Sequence, residues 1–229
     1  MSAELVLFSF VLFIACAGTV ALFLRDYYRQ KQLRALIFKG TASLCFLGIG
    51  AISCFSGSLT PSSILIFVGL CFGLVGDEVI HLCQLFPERD TLFFVGGGSL
   101  FLVGHLLYIP ALLLCGVNWI GVAISFTVMV TLGLIYERKR SFLNGKMKIP
   151  LALYLGIVSF MGAVAVGAFV ERLTLGAGLF ALGGVLFTLS DNILFAYKLG
   201  KNPKFIQNIL LHAAYYSAQL LIAVSIAYL

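Results

Sequence analysis

Charge is what this sequence has least of. Only 10% of its 229 residues are Asp, Glu, Lys or Arg, against about 25% in a soluble domain. Too little polar surface is available for a globule that faces water on all sides. Phosphate-binding loops are also missing, since neither GxGxxG nor GxxxxGK[ST] occurs. The six cysteines form no CxxC pair and sit inside or at the ends of apolar runs. They read as small buried hydrophobes rather than a metal or redox framework. No linker is long enough to hold a second, water-soluble domain.

Apolar runs fill the rest. Hydrophobic residues make up 61% of the chain, and mean hydropathy is +1.09. About 20 apolar residues cross a bilayer as a helix, because about 1.5 Å of rise per residue must cover about 30 Å of hydrocarbon. The runs are apolar on every side, which excludes the alternating short strands of a membrane barrel. Polar breaks divide them into eight spans: Leu5–Leu24, Ala35–Cys54, Ser63–Cys83, Leu92–Leu114, Trp119–Ile135, Ile149–Phe169, Leu175–Tyr197 and Phe205–Tyr228. The expected fold is all-α, one polytopic membrane domain over residues 1–229.

Basic residues set the expected orientation. Glu4 precedes the first span and Arg25 follows it, the reverse of a signal peptide's charge order. With both termini extracytoplasmic, the cytoplasmic loops hold Arg25, Arg29, Lys31, Arg34, Arg89, Arg138, Lys139, Arg140, Lys146, Lys148, Lys198, Lys201 and Lys204. That is 13 of the 15 basic residues, as the positive-inside rule requires. The net charge of +6 then reads as topology and attraction to anionic lipid, not as nucleic-acid binding. Compact loops and the absence of targeting extensions fit a bacterial inner membrane.

A few ionisable residues lie inside the spans. Asp77 sits in span three and Asp191 in span seven, at matched depth; Lys39 opens span two, and His105 lies in span four. A carboxylate at such depth costs several kcal/mol unless paired, hydrated or neutralised, so these groups are expected to gather in one polar cavity. Helical spacing places Asp77 with His81, His105 with Tyr108, and His212, Tyr215 and Gln219 on shared faces. Glu78 points about 100° from Asp77 and reads as a supporting or interfacial group. His81 is placed near the headgroups, and Tyr27, Tyr28 and Trp119 read as interface anchors. Glycines at 69, 73 and 76, at 96–98 and 104, and at 176, 178, 183 and 184 mark helices that approach closely in lipid. A faint repeat pairs Asp77 and HLLY with Asp191 and HAAY.

Four stretches carry a resemblance: GLVGDEVIHL (Gly73–Leu82), FVGGGSLFLVGHLLYI (Phe94–Ile109), GGVLFTLSDNILFAYK (Gly183–Lys198) and YYSAQLLIAVS (Tyr215–Ser225). Their succession of GD, HxxY, SD and YxxAQ resembles the YhhN family of membrane proteins, which includes the lysoplasmalogenases. Lys39 matches the lysine that opens that family's second span. The resemblance implies eight transmembrane helices and cleavage of the vinyl-ether bond of lysoplasmalogens; separately, no cofactor or metal is expected. A fatty aldehyde and glycerophosphoethanolamine or glycerophosphocholine would be released.

Vinyl-ether hydrolysis needs a proton donor and a nearby negative charge. Two carboxylates of unequal acidity supply both, as in glycosidases. Asp77 and Asp191 are the expected pair. His105, Tyr108, Tyr215 and Gln219 are expected to orient them or the water, and Lys39 to meet the lipid phosphate. Three other readings compete. Intramembrane Asp, Lys and His also build transporters and proton-coupled carriers; His81, His105 and His212 with an Asp resemble a zinc donor set; and a lipid-binding protein without turnover would also carry such residues.

Overall fold

A computed structural model describes residues 3–56 and 59–229, with side chains from residue 6 onward. Part of the SGSLTPS break and the Glu4 side chain therefore lie outside the described residues. Among the described residues eight α-helices follow in order: α1 (Ala3–Tyr28), α2 (Gln32–Ser56), α3 (Pro61–Leu85), α4 (Asp90–Leu113), α5 (Trp119–Arg140), α6 (Lys148–Arg172), α7 (Leu175–Leu199) and α8 (Phe205–Ser225). All eight are long and apolar enough to cross a membrane. Hydrocarbon offers no hydrogen bonds, so a spanning backbone must satisfy itself, and a helix does so locally.

Several helices run past the apolar limits read from sequence. α1 continues to Tyr28 and α5 to Arg140, because long charged side chains reach water while their backbone stays helical. α4 also continues through Pro110.

Polar residues close the ends. Thr60 and Ser63 form a reciprocal capping box at α3, with Pro61 in its first turn. Asn118 Oδ1 accepts from Gly121 N at 2.9 Å at the start of α5. α6 ends at Leu173 in the left-handed region, φ 50°, which turns the chain into α7 within two residues.

The chain divides into two compact units, residues 1–111 and 112–229, the boundary falling in the last turn of α4. In the first unit α2 packs on α1 and α3, and α3 meets α4 along a glycine seam. A Cβ on Gly97 would lie 2.8 Å from Gly76 O, and one on Gly104 would lie 3.1 Å from Gly69 O. Gly69 and Gly76 thus face Gly104 and Gly97 in antiparallel register. In the second unit α7 packs on α6 and α8. A Cβ on Gly184 would come within 3.3 Å of Gly162 Cα, and one on Gly183 within 3.0 Å of Ala218 O. Small residues therefore bring backbones together around both aspartate-bearing helices.

Candidate active site

In the first unit the chemistry centres on Asp77, which is 4% exposed. α2 presents Lys39 and Ser43 one turn apart on one face. Lys39 Nζ lies 2.7 Å from Asp77 Oδ1, and Ser43 Oγ donates to Asp77 Oδ2 at 2.8 Å. Lys39 Nζ also donates to the Asp77 backbone carbonyl at 2.7 Å. An ammonium has donors only, so Asp77 accepts both of these contacts through its own oxygens. Lys39, expected at a lipid phosphate, is committed here to Asp77. Ser43 was not singled out in the sequence; its spacing of four residues from Lys39 was the available signal.

The neighbours of Asp77 have separate surroundings. Glu78 Oε1 is buried without a hydrogen-bond partner, against α2, where a Cβ on Gly40 would lie 3.3 Å from it. His81 is buried within the protein. Its Nε2 lies 3.1 Å from Gln32 O, and its ring stands edge-on to Phe23 and Tyr27 of α1. This arrangement ties the α1–α2 turn to α3. It also gives Tyr27 a packing role where only interfacial anchoring was expected. Trp119 is exposed at the start of α5, as an anchor would be.

On α4, His105 and Tyr108 are both buried, with ring centroids 6.2 Å apart. The Tyr108 ring fills the space that Gly69 leaves open, since a Cβ there would stand 2.3 Å from Tyr108 Cε1. The shared face read from the spacing is real, and glycine on α3 makes room for it.

The second unit centres on Asp191, also 4% exposed. Tyr154 of α6 donates its hydroxyl to Asp191 Oδ2 at 2.9 Å. The Tyr154 ring packs edge-on against Phe195, one turn along α7 from Asp191, at 5.2 Å. A tyrosine hydroxyl both donates and accepts, so Tyr154 can serve a carboxylate or a carboxylic acid. Sequence reasoning passed over Tyr154, since one tyrosine in an apolar span carries no periodic signal.

On α8, Gln219 Nε2 donates to Tyr215 Oη at 3.2 Å, and Tyr215 stands edge-on to Phe187 of α7 at 5.5 Å. His212 Nδ1 lies 2.8 Å from Asn208 O, one turn back on its own helix. Among the described residues no three His, Cys, Asp or Glu side chains gather as a metal would require.

Comparison with known proteins finds named relatives. Over 171 residues the chain is 33% identical to a protein of Bos taurus named lysoplasmalogenase TMEM86A, covering 72% of this chain and 66% of that protein. The Homo sapiens protein of the same name is 29% identical over 171 residues, with the same coverage of 72% and 66%. The chain thus spans just under two thirds of the length of these relatives. No solved structure matches it. The profile of the YhhN family matches residues 34–226, a stretch that includes Lys39, Asp77, His105, Asp191 and Gln219. The chain belongs to the YhhN family.

Proposed function

We propose that the protein is a membrane lysoplasmalogenase, which hydrolyses the vinyl-ether bond of lysoplasmalogens. The supporting observation is the buried Asp77 carboxylate held by Lys39 and Ser43, in a family whose matched members carry that name. The products are a fatty aldehyde and glycerophosphoethanolamine or glycerophosphocholine.

The two carboxylates divide the work. Asp191, beside a hydroxyl that fits either protonation state, delivers a proton to the alkenyl carbon β to the ether oxygen. The C=C electron pair forms the new C–H bond, and an oxocarbenium ion results. A carboxylate, the role proposed for Asp77 beside Lys39 and Ser43, stabilises that cation and orients water, which adds to the carbon bearing oxygen. One proton of the added water restores the acid, the hemiacetal hydroxyl proton passes to the glycerol oxygen as its C–O bond breaks, and aldehyde and alcohol separate. A positioned acid or base is worth about 10²–10⁴ in rate. Lys39 orients Asp77, while Tyr215, Gln219, His105 and Tyr108 orient the remaining polar groups or the water.

Both termini are placed outside the cytoplasm, in a bacterial inner membrane, with the basic loops inside. The test is aldehyde release by purified protein from a lysoplasmalogen in D₂O. The expected aldehyde carries one deuterium on the carbon beside the carbonyl, and the matching acyl lysophospholipid yields none. Flux of the lipid or of protons in proteoliposomes without aldehyde would overturn the reading in favour of a carrier.

A further inference from the structure

Beyond the two aspartates, α5 stands away from α7 and α8 over a cavity of about 480 Å³. That volume falls in the range of small-ligand sites, about 300–1,000 Å³. Its walls are apolar: Leu132 of α5, Val185 and Leu189 of α7 and Leu210 of α8. These four are among the more exposed hydrophobic side chains, Leu132 at 61% and Leu210 at 50%. Polar groups line part of it, from Thr188 and Asn192 to Tyr136 and Gln207. Thr188 and Asn192 flank Asp191 on α7.

The polar side connects to a cation. Gln207 Nε2 donates to Tyr136 Oη at 3.0 Å, and Arg140 Nη2 donates to Gln207 Oε1 at 2.8 Å. Arg140 Nη2 also donates to Asn202 O at 2.8 Å. Its Nε is buried and has no hydrogen-bond partner. Among the described residues no carboxylate lies within ion-pair distance of this guanidinium. The backbone of the α7–α8 connection closes on the same corner: Lys201 N donates to Arg140 O at 3.0 Å, and Lys204 N to Gln207 Oε1 at 2.9 Å. A part-buried guanidinium without a carboxylate partner attracts an anion, and phosphate is one that a guanidinium binds well.

We propose that this groove binds a single-chain phospholipid, its phosphate at Arg140, its glycerol beside Gln207 and Tyr136, and its chain along Leu189 and Leu210. One chain suits the groove, because the adjoining crevice, which shares Met129, Gly133 and Asn192 with it, adds only about 100 Å³, below the range of a ligand site. That the occupant is the substrate rests on the lysoplasmalogenase reading; the groove itself does not.

The probe is a lysophosphoethanolamine with a saturated 1-O-alkyl chain, which has no vinyl ether to cleave. Binding to the detergent-solubilised full chain is measured by native mass spectrometry and titration, beside the phosphate-free 1-O-alkyl glycerol. One equivalent of the phospholipid is expected. Arg140→Gln should weaken it at least tenfold and change the glycerol ether less than twofold. Leu210→Trp, which fills the groove from an exposed position, should weaken both at least tenfold. Arg140→Lys, which keeps the charge, should recover most of the phospholipid affinity. Unchanged binding in Leu210→Trp, or equal weakening of both probes by Arg140→Gln, overturns the proposal. Aldehyde release that persists alongside such a result leaves the hydrolase standing; groove binding without any aldehyde release removes the hydrolase and leaves the groove.

Discussion

Lys39 Nζ lies 2.7 Å from Asp77 Oδ1 and 2.7 Å from the backbone carbonyl of the same residue. One ammonium therefore fixes both the side chain and the main chain of Asp77 against α2. Removing one partner of a buried pair leaves an uncompensated charge, at about 3–5 kcal/mol. Lys39→Met should lower unfolding stability by about that amount. Lys39→Met with Asp77→Asn should recover a large part of it, since neither charge then remains. A thermal or denaturant double-mutant cycle measures the coupling. Additive losses would show that the pair carries no stability.

Asp191 has the same kind of support in its own unit. In each unit the aspartate lies on the third helix and a partner comes from the second: Lys39 and Ser43 on α2 for Asp77, and Tyr154 on α6 for Asp191. Removing a hydrogen bond from a buried polar group costs about 1–3 kcal/mol. Tyr154→Phe should therefore reduce kcat by roughly ten- to a hundredfold, with KM changed little, because Tyr154 positions Asp191 without gripping lipid. A rise in KM at constant kcat would place Tyr154 in binding instead.

The glycine seam gives a packing test. A Cβ on Gly97 would stand 2.5 Å from Ile80 Cγ1 and 2.8 Å from Gly76 O, whereas one on Gly98 would meet nothing within 4 Å. Gly97→Val should separate α3 from α4 and lower the unfolding temperature by several degrees. Gly98→Val should change it little. Equal behaviour of the two variants would contradict the register.

Orientation is tested by labelling. With the basic loops inside, Lys146→Cys should react with an impermeant thiol reagent only from the cytoplasmic side. Leu173→Cys, at the opposite end of α6, should react only from outside. The reverse pattern would invert the membrane orientation.

The eight helices were legible because each carries a long apolar run, and hydrocarbon leaves the backbone no other local solution. Their ends were less legible, as at Tyr28 and Arg140, since charge at a helix end marks water and not the end of the helix. Asp77, Asp191 and Lys39 stood out because ionisable groups are rare in such runs. Ser43 and Tyr154 did not, being neutral and common in membrane helices; their importance comes from a partner on another helix. Glycine spacing marked α3 and α4 as close-packing, but a period names no partner, so the pairing of Gly69 with Gly104 and Gly76 with Gly97 needed coordinates. His81 lies near a helix end, which in sequence reads as the headgroup level; its packing against Phe23 and Tyr27 of α1 is a contact between helices that no spacing within α3 reveals.

The central claim is that both aspartates perform the hydrolysis. Its most direct test is lysoplasmalogen turnover by Asp77→Asn and Asp191→Asn, each shown to be folded by its helical circular dichroism and its elution as the wild type. Each variant should lose about a hundredfold or more in kcat, the scale of a positioned acid or base. A folded variant that releases aldehyde at the wild-type rate would contradict the account for that residue.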